Sequence, residues 1–170
     1  MTKPGREVSA RSRAAAPEIP ISTIGYEGTT VDLFLDALRN EGVELLVDVR
    51  AVASSRRPGF SKTRLAENLA AAGIEYLHLR GLGTPADGRA AARAGRHQEM
   101  REIYLRHLAI PEAQAELNSL EEIVHSGTRL SLMCFERRPE HCHRRVLVEA
   151  LLDRIPLRVT DLIPGEEERE

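Results

Sequence analysis

Short apolar runs alternate along the chain with segments in which apolar residues recur every three or four positions. Five apolar runs predict β-strands, at residues 21–25, 43–49, 74–79, 128–135 and 156–163. The segments between them predict amphipathic helices. Alternation of this kind is typical of βαβ units. We therefore predict an α/β fold, with a mostly parallel central sheet of about five strands and helices on both faces.

Capping residues and helix breakers mark several helix ends. Thr29 or Thr30 is the predicted N-cap of the first helix, and Gly42 ends it. Pro111 separates two later helices. The Gly-, Ala- and Arg-rich stretch 80–97 shows no clear periodicity, and long irregular connections of this type are often functional or mobile. The predicted helices cover residues 29–42, 62–73, 98–108, 111–125 and 141–154.

The predicted organisation is one domain, at residues 21–163, between a polar, disordered tail at 1–20 and an acidic tail at 164–170. A chain of 170 residues is long enough for one such domain with a hydrophobic core. The first 20 residues lack the apolar segment of a secretory signal, and the chain has no run of about 18 apolar residues. We therefore expect a cytoplasmic protein with reduced thiols and no membrane partner.

Both cysteines lie within the short segment "CFERRPEHCH", residues 134–143. Cys134 is near the carboxyl end of the fourth predicted strand, and Cys142 is in the first turn of the following helix. The unpaired N–H groups of a helix N-terminus and the nearby arginines would lower the pKa of the Cys142 thiol. Ligands of open α/β sheets bind beyond the carboxyl ends of the strands, so this segment is a candidate site.

Four interpretations of the two cysteines are open. In the first, Cys142 is a nucleophile with His143 as its base, and in the second it forms a reversible disulfide with Cys134. In the third, the thiols bind zinc or iron with His143 or His141, and His78 is a further candidate ligand. Their spacing matches no standard structural zinc pattern. In the fourth interpretation both cysteines only pack in the core.

A second group of polar residues follows the second predicted strand. Arginine forks and hydroxyl groups at a strand end bind phosphate or carboxylate well. The formal net charge of −2 argues against a generally basic nucleic-acid-binding surface and favours a local cleft. The residues predicted to bind an anion are Arg50, Ser55, Arg56, Arg57, Arg144 and Arg145.

Acidic and aromatic residues complete the predicted site. Asp48 and Glu136 are predicted to orient the arginines, although an internal ion pair between Asp48 and Arg50 is the alternative. Tyr26 and Glu27, just after the first strand, are predicted to form the rim.

Standard phosphate-binding motifs are missing. The thiol-phosphatase pattern C-x5-R would require arginine at position 140 or 148, where the chain has Glu140 and Val148. Neither a P-loop nor a G-x-G-x-x-G opening a helix occurs. A nucleotide enzyme of a standard type is therefore disfavoured.

Four segments together resemble the domain of unknown function 488 family: "TIGYEGTTVDLFLDAL", "GVELLVDVRAVASSRRPGF", "LAAAGIEYLHLRGLG" and "LSLMCFERRPEHCHRRVL". The resemblance extends over residues 21–163 and implies a compact α/β domain of the prokaryotic cytoplasm, with no established activity. Tyr26 and Glu27 occupy positions where many members carry a His-Ser pair. The positions that match the family's motifs are Thr23, Gly25, Asp48, Arg50, Ser55, Arg56, Cys134, Glu136, Cys142, His143 and Arg144.

These features lead to two functional hypotheses. The first is a small cytosolic enzyme that binds a phosphate-bearing nucleotide or nucleic-acid end. Its catalytic residues would be Cys142, His143 and Cys134, with zinc or iron as the candidate cofactor. The second is a non-catalytic regulatory protein that binds nucleic acid or a metabolite and carries redox-sensitive or metal-binding thiols.

Overall fold

The computed structural model describes residues 15–166 and contains a single five-stranded sheet. Its strands are β1 (Ile19–Gly25), β2 (Leu45–Asp48), β3 (Glu75–His78), β4 (Leu130–Cys134) and β5 (Leu157–Leu162). All neighbouring strands are parallel, in the order β3-β2-β4-β1-β5. The predicted α/β class and parallel sheet are confirmed.

Six helices pack on the two faces of this sheet. They are α1 (Val31–Glu41), α2 (Lys62–Ala71), α3 (Ala86–Arg93), α4 (His97–Leu108), α5 (Pro111–His125) and α6 (His143–Leu152). Apolar residues of α1 and α2 form one core, and those of α4, α5 and α6 form the other. On β4, Leu132 belongs to one core and Met133 to the other, which explains why this strand is an apolar run rather than an alternating pattern.

The helix ends follow the local chemistry of the sequence. The Thr30 hydroxyl accepts a hydrogen bond from the Leu33 backbone N–H at 3.3 Å and caps α1. Gly42 ends this helix with a left-handed φ of 74°, a conformation that a residue without a Cβ adopts at little cost. Ser61 occupies the N-cap position of α2, but its hydroxyl bonds to the backbone of Ser55 instead.

The predicted tails overlap only partly with the described residues. Strand β1 begins at Ile19, two residues earlier than predicted, because Ile19 pairs with Leu157 and donates to the Pro156 carbonyl at 2.9 Å. The portions of the predicted tails at 1–14 and 167–170 lie outside the described residues. Within residues 15–166, no helix has both the length and the apolar character that a membrane span needs.

The irregular stretch 80–97 folds into a short 3-10 turn at Arg80–Leu82 followed by α3. Gly83 lies directly against the backbone of Ala51, so no side chain fits at that position. Ala91 of α3 is completely buried in the core. Tertiary packing therefore orders a segment whose own sequence pattern is weak.

Strands β1 and β4 are neighbours, yet the chain leaves them toward opposite faces of the sheet. The connection after β1 leads to α1 on one face, and the connection after β4 leads to α6 on the other. This divergence is the topological switch point at which ligands of open α/β sheets bind. Gly25 pairs with Cys134 there, and a Cβ at Gly25 would collide with the Glu136 carbonyl.

We predict that Gly25→Ala destabilises the protein by about 3 kcal/mol, because two backbone segments cannot separate without disturbing both strands. The control is Gly28→Ala. Gly28 has a φ of 73° and open space around it, so only backbone conformation opposes a side chain there, at about 1 kcal/mol. Urea unfolding of both variants measures the difference. An equal or smaller loss for Gly25→Ala would contradict the close approach.

Candidate functional site

Four side chains of metal-ligating types meet at the carboxyl end of β4. Cys134 ends the strand, Glu136 lies in the loop that follows, and Cys142 and His143 begin α6. One potential ligand atom from each residue lies within 4.8 Å of the other three. Both cysteines are 1% exposed and His143 is 8% exposed, so the cluster is shielded from solvent. The structure thus brings together the three residues predicted as catalytic.

The two cysteines have their sulfur atoms in contact, while their Cα atoms are 7.8 Å apart. Disulfides usually join Cα atoms about 4.4–6.8 Å apart. Two thiolates bound to one tetrahedral zinc ion have sulfurs about 3.8 Å apart, so the backbones that carry them lie farther apart than in a disulfide. The backbone spacing of Cys134 and Cys142 therefore exceeds the usual disulfide range and is compatible with a shared metal ion, whose binding would require the two sulfur atoms to move apart.

Cys142 is also the N-cap of α6. Its sulfur accepts a hydrogen bond from the Arg144 backbone N–H at 3.4 Å. This contact satisfies one of the unpaired N–H groups of the helix and holds the sulfur at the helix N-terminus. The expected placement of Cys142 at the start of this helix is confirmed.

His143 is held in a single orientation by a backbone contact. Its Nε2 lies 2.9 Å from the Val49 carbonyl oxygen, which can only accept, so Nε2 carries the proton. The unprotonated Nδ1 then faces Cys142 Sγ at 3.8 Å. Burial lowers the pKa of His143 to about 4, and the nearby Arg144 charge adds to this effect. His143 is therefore a neutral imidazole with its lone pair directed into the cluster.

Glu136 approaches the cluster from the loop. Its Oε2 lies 3.3 Å from Cys134 Sγ. Burial raises the pKa of the Glu136 carboxyl above its ordinary value, although the charge of Arg144 partly opposes the shift. A buried carboxyl with a raised pKa exchanges protons more readily near neutral pH than an exposed one.

A cavity of about 240 Å³ opens beside the cluster, and Cys134, Glu136 and His143 form part of its wall. It lies at the ends of β1, β2 and β4, where the sheet topology predicts ligand binding. Two groups of residues complete the lining. The polar ones are Arg50, Thr84, Arg89, Arg93 and His141, and the apolar ones include Val52, Met100 and Phe135.

Several of these polar residues were not among the predicted site residues. Arg89 and Arg93 lie four residues apart on α3, so both can face the cavity. This i, i+4 pair in an alanine-rich segment was the available signal in the sequence. His141 stacks on His97 with ring centroids 4.3 Å apart, and only the folded chain brings these two residues together.

Asp48 and Arg50 form the internal ion pair that was the alternative interpretation of these residues. The guanidinium of Arg50 makes two hydrogen bonds to the Asp48 carboxylate, at 2.9 and 2.8 Å. Its remaining contacts are the Phe60 carbonyl at 2.8 Å and the Tyr26 hydroxyl at 3.3 Å. Tyr76 donates to Asp48 at 2.6 Å. Burial alone would lower the pKa of Arg50, but Asp48 raises it above its ordinary value.

The predicted rim residues differ in their surroundings. Tyr26 is 4% exposed, stacks on Phe60 with ring centroids 4.6 Å apart and lines the cavity. Glu27 is exposed, and its carboxylate accepts a hydrogen bond from the Arg137 backbone N–H at 3.0 Å. Tyr26 therefore forms part of the cavity wall, while Glu27 holds the loop that contains Arg137.

Three predicted anion-binding residues of the loop after β2, Ser55, Arg56 and Arg57, lie away from the cavity. Arg57 donates to the Thr29 carbonyl at 3.1 and 2.8 Å, and its backbone N–H donates to the Ser55 hydroxyl at 3.1 Å. Arg56 is exposed. Ser55 and Arg57 thus organise the loop, and none of these three residues lines the cavity beside the cysteines.

The two predicted arginines of α6 also lie outside that cavity. Arg145 is exposed and pairs with Glu149 at 3.3 Å, whereas Arg144 is completely buried. His78, the further candidate ligand, bonds to the Arg50 carbonyl at 2.7 Å and lies outside the four-residue cluster. The predicted anion-binding residues are therefore distributed around the cluster rather than gathered in one cleft.

We predict that Asp48→Asn destabilises the protein by about 3–5 kcal/mol, because Arg50 would keep a buried charge without its partner. The control is Asp36→Asn, which breaks the exposed pair with Arg39 and should cost less than about 1 kcal/mol. Chemical unfolding measures both changes. Similar losses in the two variants would show that the buried pair does not support the site.

Comparison with known proteins identifies the family of this chain but no individual relative. No curated protein and no solved structure matches the chain significantly. A family model described as Domain of unknown function DUF488 matches residues 30–151, well over half of the chain. The matched range includes the ion pair of Asp48 and Arg50 and all four residues of the cluster. The chain therefore belongs to the DUF488 family, as its motifs indicate.

Proposed function

We propose that this protein is a metal-dependent hydrolase that acts on a small phosphate-bearing substrate of the nucleotide class. One observation carries the proposal: four ligand atoms of Cys134, Glu136, Cys142 and His143 converge within 4.8 Å in the wall of a strand-end cavity. Thiolate and imidazole ligands favour zinc or ferrous iron, and zinc is the metal that we propose.

Cys134, Cys142 and His143 are the proposed metal ligands. Zinc–sulfur and zinc–nitrogen bonds at a tetrahedral angle separate the two ligand atoms by about 3.6 Å. The 3.8 Å between Cys142 Sγ and His143 Nδ1 is close to that separation. The Val49 carbonyl orients the imidazole, as backbone carbonyls commonly do for metal-binding histidines. Catalytic zinc sites typically have three protein ligands, and these three residues would supply that number.

Glu136 is the proposed proton carrier. A zinc ion held by these residues would polarise a phosphoryl oxygen of the substrate and lower the pKa of a nearby water. In hydrolysis the water oxygen bonds to the phosphorus atom while the phosphorus–oxygen bond to the leaving group breaks. Glu136 takes one proton from the water and returns it to the leaving-group oxygen. A carboxyl group beside three metal ligands and facing the cavity is suitably placed for both transfers.

The substrate class follows from the cavity lining. Arg89 and Arg93 supply positive charge on one side, and Val52, Met100 and Phe135 supply apolar surface. A phosphate group with a planar, partly apolar base combines both properties. The volume of about 240 Å³ suits a small molecule or the end of a strand rather than a duplex. Thiolate ligands also require a reducing compartment, so we infer a cytoplasmic location.

We predict one equivalent of zinc in protein purified with reductant and without chelator, measured by elemental analysis. Cys142→Ser should bind zinc at least ten-fold more weakly, because a hydroxyl is a poor zinc ligand. Serine is a favourable N-cap, so α6 should keep its start and the variant should remain folded. Cobalt substitution provides a second readout, since thiolate–cobalt absorption bands should appear in the wild type and weaken in the variant.

His143→Asn and His125→Asn form the matched pair for this test, because His125 is exposed and lies outside the cluster. Only His143→Asn should lower the zinc content. Reduced protein that neither contains nor binds zinc would contradict the proposal. A disulfide between Cys134 and Cys142 that forms reversibly in such protein would favour the non-catalytic, redox-sensitive alternative.

We predict that at least one of the four common ribonucleoside 5′-monophosphates binds saturably, and that Arg93→Gln weakens this binding about five- to ten-fold. Loss of one charge contact of about 1–1.4 kcal/mol accounts for the change. Arg106→Gln is the control, because each arginine lies in the last turn of a helix and only Arg93 lines the cavity. Calorimetric titration measures both variants. Equal weakening by the two substitutions would exclude the cavity as the nucleotide site.

A further inference from the structure

Arg144 is the most unusual charged residue among residues 15–166. Its side chain is 0% exposed, and its Nε, Nη1 and Nη2 atoms have no hydrogen-bond partner within this described part of the chain. An arginine guanidinium keeps its positive charge at neutral pH. A buried charge without hydrogen bonds costs several kcal/mol, and proteins rarely keep one without a function.

Arg144 lines a cavity of about 170 Å³ between β1, β5 and α6. This cavity shares no lining residue with the one beside the cysteine cluster. Because one water molecule occupies about 30 Å³ in the liquid, the volume is sufficient for a small polyatomic ion. The cavity is therefore a separate candidate binding site.

The acidic residues around this cavity already have partners. Glu149 pairs with Arg101 at 2.5 Å and with Arg145 at 3.3 Å. Asp161 accepts a hydrogen bond from the Thr23 hydroxyl at 2.5 Å, and it attracts Arg144 without bonding to it. The positive charge of Arg144 is thus left without a direct partner. Its position in the first turn of α6 adds the positive end of the helix dipole.

We propose that Arg144 binds a small oxyanion, a phosphate or a carboxylate, in the cavity between β1, β5 and α6. A planar guanidinium offers paired N–H donors that match two oxygen atoms of such a group. The bound ion would accept the hydrogen bonds that the protein does not provide. This site is distinct from the proposed substrate cavity and does not require the metal.

The test is calorimetric titration of reduced, full-length protein with inorganic phosphate and, separately, with acetate, at constant ionic strength. At least one of the two ions should bind saturably. Arg144→Met, which keeps the length of the side chain and removes its charge, should weaken that binding at least ten-fold. Without the ion, Arg144→Met should unfold at the same temperature as the wild type or a higher one, because an unpaired buried charge is gone.

Two further variants locate the ion. Asp161→Asn should strengthen binding several-fold, because it removes a negative charge near Arg144 and leaves an amide oxygen that can still accept the Thr23 hydrogen bond. Arg93→Gln should leave binding of the ion within two-fold of the wild type. The proposal is overturned if neither ion binds saturably or if Arg144→Met binds as tightly as the wild type. It is also overturned if Arg93→Gln abolishes binding, which would place the ion in the substrate cavity. None of these results depends on the zinc content.

Discussion

The buried ion pair between Asp48 and Arg50 connects the carboxyl ends of three strands. Asp48 ends β2, accepts a hydrogen bond from Tyr76 of β3 and holds the guanidinium of Arg50. Arg50 in turn reaches the Tyr26 hydroxyl just beyond β1, and its own carbonyl contacts His78. Two opposite charges with nearly complete hydrogen bonding are tolerated inside a protein, whereas either one alone is not. The edge of the sheet that carries the site therefore depends on this pair.

Burial is also the main source of the chemistry at the cysteine cluster. It lowers the pKa of His143 and raises the pKa of Glu136, so burial favours the neutral form of both groups. Backbone atoms fix the orientation of two of these side chains. The Val49 carbonyl orients the His143 imidazole, and the N-terminus of α6 holds the Cys142 sulfur. Ligand orientation by backbone atoms is rigid, because moving the ligand would require moving a strand or a helix.

The loop between β4 and α6 separates two polar regions. On one side Cys134, Glu136 and His143 face the cavity proposed for substrate, and on the other Arg144 faces the cavity beside β5. Consecutive residues at a helix start point in different directions, so His143 and Arg144 serve different cavities. Electrostatic interaction still links the regions, since Arg144 influences the pKa values of both Glu136 and His143.

The sequence alone determined the fold class, the positions of the five strands and of every helix described except α3 to within a few residues, and most of the loops that carry the site. Apolar periodicity, capping residues and the strand-end rule are local or topological signals, and they need no knowledge of side-chain contacts. The sequence also suggested that Cys134, Cys142 and His143 share one site, because all three lie close together along the chain, but it left their role open among four interpretations. Tertiary structure decided which charges are neutralised internally and which line a cavity. Arg50 is paired with Asp48, and Arg144 is completely buried beside a second cavity. Arg89 and Arg93 line the first cavity from a segment without clear periodicity. A sequence pattern cannot distinguish these cases, because burial and partner choice depend on residues that are distant along the chain.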